Sequence, residues 1–225
     1  MSWAGDAQSP IPYSPQITDP TGDSTGDSGT DIVSAGLMTT GTAQFVTKTT
    51  YTYKVVTKTV TKTVKGKKKK VKVKKKVKVA HTTKVVQYVP DTLVAKVTMA
   101  GTPDSTPSSY TEFDLTVPGC GTATIGYGPG GVASDPSQSG FADFSSCVKS
   151  SDPTNTDGSF FFQPSVEGNT IVMALPFSKL PPQVATGVTV TGLEASTGLS
   201  DPALGAGFIT GFYDDAKSTT PYTIG

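Results

Sequence analysis

Arginine is absent from this chain of 225 residues, histidine occurs once (His81), tryptophan once (Trp3) and glutamate three times (Glu112, Glu167 and Glu194). Each shortage removes a class of chemistry. Without arginine, an anion meets compact ammonium groups and no bidentate guanidinium fork, so anion binding is expected to be salt-sensitive and weakly selective, with no reading of base sequence. The single histidine lies inside the lysine-rich stretch, a poor place for the base of a Ser or Cys nucleophile. The three glutamates sit in no recognisable glycosidase motif. One tryptophan near the N-terminus makes no rigid sugar platform, and Tyr127, Tyr213 and Tyr222 read as packing or turn residues. Gly128-Pro129-Gly130-Gly131 lacks the Lys and Ser/Thr of a phosphate loop and reads as a turn. No catalytic residue is therefore assigned. No run approaches the roughly 20 apolar residues of a membrane-spanning helix. Met1–Ser14 lack the basic and then apolar pattern of a signal peptide, so the chain reads as soluble, or as mature with its signal replaced by Met1.

Acidic residues are also missing over one long stretch. None occurs from Ile32 to Pro90, and fifteen of the nineteen lysines fall between Lys48 and Lys84. The formal net charge of +1 is thus a cancellation between a block of +15 and a remainder in which four lysines meet eighteen acids, −14. Phe45–Val64 and Lys67–Val89 both alternate with period two around Lys65-Gly66, which predicts a β-hairpin with strands of about 20 residues, roughly 65 Å long at ~3.3 Å per residue. Val60 would then oppose Val71, and Thr57, Thr59 and Thr61 would oppose Lys74, Lys72 and Lys70. Order is expected near Phe45, Tyr51, Tyr53 and Tyr88 and fraying near the tip, a disordered tip being the alternative. The lysine row also guards against edge-to-edge aggregation.

The rest is rich in Gly, Pro, Thr and Ser, with short apolar runs bounded by turn residues. Strands are expected at Ile32–Met38, Leu93–Met99, Tyr110–Val117, Gly121–Tyr127, Ser159–Gln163, Thr170–Leu175, Gly187–Ser196 and Gly207–Tyr213. The fold class this predicts is all-β, a two-sheet antiparallel β-sandwich of jelly-roll or Ig-like type with a long protruding β-hairpin. Residues 1–17 form a flexible arm, 18–44 the first part of the sandwich, 45–89 the hairpin insertion and 90–225 the remainder.

Thr18–Asp31 reads TDPTGDSTGDSGTD, with Asp19, Asp23, Asp27 and Asp31 every four residues among glycines. Four carboxylates on a flexible loop repel unless a hard cation such as Ca²⁺ binds them; the alternative is a solvated acidic loop. The spacing is not that of an EF-hand. Cys120 and Cys147 are the only cysteines and have no zinc-ligand spacing around them. They read as a disulfide, which favours an oxidising, extracellular compartment, or else as two free thiols.

DPTGD…TDI, DTLVAKVTMAG, SSYTEFDLTVPGCGTATIGYG, NTIVMALPFSKL, VTVTGLEASTG and DDAKSTTPYTIG follow one another in an order that resembles secreted bacterial β-sandwich modules related to the DOMON-like and family-nine carbohydrate-binding modules. The resemblance covers the chain apart from the first seventeen residues and the insertion. It implies a non-catalytic, extracellular accessory module with a structural calcium ion near Asp19, Asp23, Asp31 and Asp214 or Asp215. Haem-binding relatives need axial Met or His, and His81 with Met99 or Met173 does not make such a set.

The functional expectation rests on the basic block. Lys58, Lys62, Lys65, Lys67, Lys68, Lys69, Lys70, Lys72, Lys74, Lys75, Lys76 and Lys78 would track an anionic polymer or surface, such as a cell-wall polyanion, nucleic acid, sulfated polysaccharide or acidic membrane. The alternative is a structural subunit of a fibre, coat or virion, in which the hairpin docks on the acidic body of a neighbouring copy.

Overall fold

The computed structural model describes residues 13–106, 108–129, 138–147, 158–200 and 209–225. Among the described residues, twelve strands build two antiparallel sheets with almost no helix. The first sheet has the order β1-β2-β3-β9-β8: β1 (Ile17–Thr18), β2 (Ile32–Val64), β3 (Lys67–Met99), β9 (Thr170–Pro176) and β8 (Ser165–Glu167). The second has the order β11-β10-β4-β5-β6-β7: β11 (Ile209–Ser218), β10 (Thr189–Ser200), β4 (Ser109–Val117), β5 (Gly121–Tyr127), β6 (Gly140–Asp143) and β7 (Ser159–Phe162). The short β12 (Tyr222–Thr223) pairs with the start of β10.

Alternation decides which residues face inward. In β4, Phe113, Leu115 and Val117 are buried while Glu112 and Asp114 lie on the other face. Across the second sheet Ala195, Phe113, Ile125, Ala142 and Phe160 stand in register. Across the first, Leu93 pairs with Leu175, Ala95 with Met173 and Val97 with Ile171. These two apolar faces share one core cluster, the all-β sandwich that the strand-and-turn pattern predicts. Cys120 and Cys147 form a disulfide that ties the β4–β5 turn to a 3-10 turn, Ser145–Cys147, after β6.

Several elements differ from the sequence reading. Ile17, placed there at the end of the arm, pairs with Ala35 and is fully buried. Residues 1–12 of that arm lie outside the described residues, as do Gly207 and Phe208 of the strand expected there. The strand expected at Ile32–Met38 does not stop there: β2 runs unbroken from Ile32 through Gly41 to Val64. A side chain at residue 36 would press on Gln16, whose amide oxygen accepts from the Leu37 N–H at 2.6 Å, so glycine allows β1 to approach.

The chain divides into two units, one made of the described residues up to Thr42 together with those from Pro90 onward, the other of Ala43–Val89. The second is a two-stranded ribbon. Lys65 (φ 50°) and Gly66 (φ 75°) both adopt left-handed backbone, the two-residue hairpin turn whose twist matches that of the strands. The Thr50 hydroxyl lies 3.5 Å from the His81 carbonyl, at the register that opposes Val60 to Val71.

Candidate functional site

The Asp-rich loop is pinned, not flexible. Its start leaves β1 with the Asp19 N–H donating to the Val33 carbonyl, and its middle is tied to β11 by the Thr25 N–H, which donates to the Tyr213 carbonyl at 2.9 Å. The Gly101 N–H reaches the Ser28 carbonyl, and the Thr197 hydroxyl donates to the Thr30 carbonyl at 2.6 Å. Folding therefore fixes the carboxylates. Asp19, Asp23 and Asp214 each present an oxygen within 4.8 Å of the others. Asp31 borders this group; one of its oxygens accepts the Gly22 N–H at 2.7 Å, and the other, Oδ1, is buried with no hydrogen-bond partner. Asp19 Oδ2 is likewise buried and unpartnered. Asp214 spends one oxygen on the Ile32 N–H at 2.6 Å.

The electrostatics follow from this crowding. Burial, and then the charges of Asp214, Asp23, Asp215 and Asp31, raise the Asp19 carboxyl to about 6. Burial raises Asp214 as well, and Asp23 and Asp31 add to it against the hydrogen bond from Ile32. A hard divalent cation would relieve the repulsion and use the orphaned oxygens, so the donor set fits Ca²⁺. Two of the six aspartates expected here do otherwise. Asp27 is exposed and caps a turn through the Gly29 N–H, and Asp215 points to the opposite side of β11, where it pairs with Lys217. The alternation of β11 separates Asp214 from Asp215, one buried and one exposed.

The ribbon carries the second set. Lys58 and Lys62 lie on β2, Lys65 in the turn, and Lys67, Lys68, Lys69, Lys70, Lys72, Lys74, Lys75, Lys76 and Lys78 on β3; all are exposed. Among the described residues the ion pairs are those of Lys217 with Glu194 (3.1 Å) and Asp215 (3.4 Å), and none involves a ribbon lysine. Farther from the turn Lys78 sits 3.6 Å over the Tyr51 ring, and His81 Nε2 meets the Thr52 hydroxyl at 2.7 Å. These contacts place Lys78 and Tyr51 on one face and His81, Thr50 and Thr52 on the other.

A third cluster was not singled out from sequence. On the outer side of the second sheet Glu112, Asp114 and Glu194 gather, Glu194 directly opposite Asp114. Burial, then Asp114 and Glu194, push Glu112 up to about 7. The Tyr110 hydroxyl is buried beside them without a partner, over Gly126, where any Cβ would collide with it. The alternation in Tyr110-Thr111-Glu112-Phe113-Asp114-Leu115 contained the signal, since the acids occupy the face opposite Phe113 and Leu115.

Among the described residues no helix is long and apolar enough to cross a membrane. Comparison of the chain with protein-family models, with curated proteins and with solved structures finds no match to any of them.

Proposed function

We propose that this chain is a non-catalytic extracellular binding module whose β-sandwich is supported by Ca²⁺ and whose cationic ribbon attaches it to an anionic polymer or surface. One observation carries the reading: fifteen exposed lysines on a ribbon with no carboxylate of its own and no described ion pair. Lysines two residues apart on a strand repeat at about 6.6 Å, a spacing that follows a chain of phosphates, sulfates or carboxylates without reading its sequence. The disulfide supports the extracellular part, and the resemblance to DOMON-like and family-nine carbohydrate-binding modules supports the accessory, calcium-bearing part.

The test is heparin chromatography with a salt gradient, beside size-exclusion chromatography with light scattering. The full chain should bind at low salt and elute as a monomer, and replacing Lys70, Lys72, Lys74 and Lys76 by Gln should lower the eluting salt concentration. Absence of retention overturns the reading. The outer cluster of Glu112, Asp114 and Glu194 favours a second reading, a structural subunit whose ribbon docks on a neighbour's acidic face. Assembly that depends on protein concentration without added anion would select it.

A further inference from the structure

We propose that the valine-bearing face of the ribbon lies on an anionic lipid bilayer, which names the partner of the attachment reading and rests on it. The two faces of the ribbon differ. With Lys65-Gly66 at the turn, Thr57, Thr59, Thr61 and Thr63 share one face with the row Lys68–Lys78 at every second residue. Toward the turn, Val56, Val60, Val71, Val73, Val77 and Val79 share the other, with Val55 the exception on the threonine side; farther from the turn that side also carries Phe45, Tyr51, Tyr53 and Val86. Among the described residues no layer covers the valine face: Val56, Val71 and Val73 are each 37% exposed and Val77 40%.

Strand formation does not explain this sorting. Threonine and valine are both β-branched and both suit strands, so a ribbon needing only backbone order could use either on either face. In the outer part of the ribbon, beyond Tyr53, what separates the faces is apolarity. A soluble polyanion engages ammonium groups and has no use for a row of valines. A second copy packed valine face to valine face would bury Lys54, Lys58, Lys62, Lys69 and Lys75 of each ribbon among the valines, with no acid between Ile32 and Pro90 to pair them.

A bilayer with anionic headgroups uses both residue types. Valines enter the boundary between headgroups and acyl chains, while the interleaved lysines run their apolar stems along them and place their ammonium groups at the lipid phosphates. The lysine row on the far face adds long-range attraction to the negative surface and keeps ribbons from stacking on one another.

The experiment is flotation of the full chain with vesicles of phosphatidylcholine alone and of phosphatidylcholine with phosphatidylglycerol, with heparin elution in parallel. The native chain should float with the anionic vesicles only. Val71→Thr, Val73→Thr, Val77→Thr and Val79→Thr together, which keep every charge and the β-branched shape, should lower partitioning about tenfold or more and leave heparin elution unchanged. As a second readout, Val73→Trp should gain a blue-shifted emission component on anionic vesicles and Thr59→Trp should not. Unchanged partitioning of the threonine variant, or equal shifts for the two tryptophans, overturns the lipid inference. Retention on heparin without flotation also overturns it and leaves the attachment reading standing; loss of both overturns that reading too.

Discussion

Glu112 occupies a place where ionisation costs free energy. Its carboxyl, with an ordinary value of 4.5, is raised to about 7 by burial and by Asp114 and Glu194; Gly126 and Ser196 stand opposite it on the neighbouring strands, and Lys217, the cation nearby, pairs with Glu194 at 3.1 Å. The folded state therefore holds a proton that the unfolded chain gives up between about pH 4.5 and 7. Stability from this group is intact below pH 4.5, falls as pH rises through that window and is level above it. Glu112→Gln should remove that dependence, gaining about 1–3 kcal/mol over the native chain at pH 8 and nothing at pH 4, as read from denaturant unfolding. At the other end of the residue scale, Lys65 adopts a positive φ that a lysine enters at a cost of roughly 1 kcal/mol. Lys65→Asn should relieve part of it, seen as slower amide exchange in the outer half of the ribbon, whereas Gly66→Val should speed it.

At the scale of elements, the Asp loop and the disulfide each hold one joint of the sandwich. Ca²⁺ at a hundred times its dissociation constant should stabilise the native chain by about 2.7 kcal/mol, and Asp31→Asn or Asp214→Asn should abolish most of that gain in a thermal melt with and without chelator. Replacing both Cys120 and Cys147 by Ser, which opens a loop of sequence separation 27, should destabilise the chain by roughly 3–4 kcal/mol. Most of the strands were legible because long alternating runs such as Thr111–Val117 and Thr170–Leu175 state both the element and its inward face. Short ones were not: Gly140–Asp143 and Ser165–Glu167 hold four and three residues, too few for a period to show, and exist because longer neighbours offer them a sheet edge. The carboxylate cluster was partly legible: the repeat of Asp19, Asp23, Asp27 and Asp31 put four carboxylates on one loop and the resemblance added Asp214 or Asp215, but hydrogen bonding turns Asp27 away, and the docking of the loop on β11 selects Asp214.

For the whole molecule, near-neutral net charge hides two opposed fields, and its association should be far more salt-dependent than a net charge of +1 implies. The logarithm of heparin affinity should fall linearly with the logarithm of salt concentration. Replacing ribbon lysines by Gln should make that slope shallower by roughly 0.7–0.9 for each ammonium group that had neutralised a charge on the polymer. The ribbon could be located from sequence because its charge and its period coincide. Its strands being the same β2 and β3 that enter the core could not, since Gly41 mimics a break between the strand expected at Ile32–Met38 and the hairpin, and Pro90 another before Leu93–Met99.

That continuity has a mechanical consequence. No loop intervenes between the ribbon and the core strands, so tension applied to an anchored ribbon passes along the backbone to the pairs Leu93–Leu175, Ala95–Met173 and Val97–Ile171. In the attachment proposed above, the load would fall on paired core strands and not on a loop that could give way first.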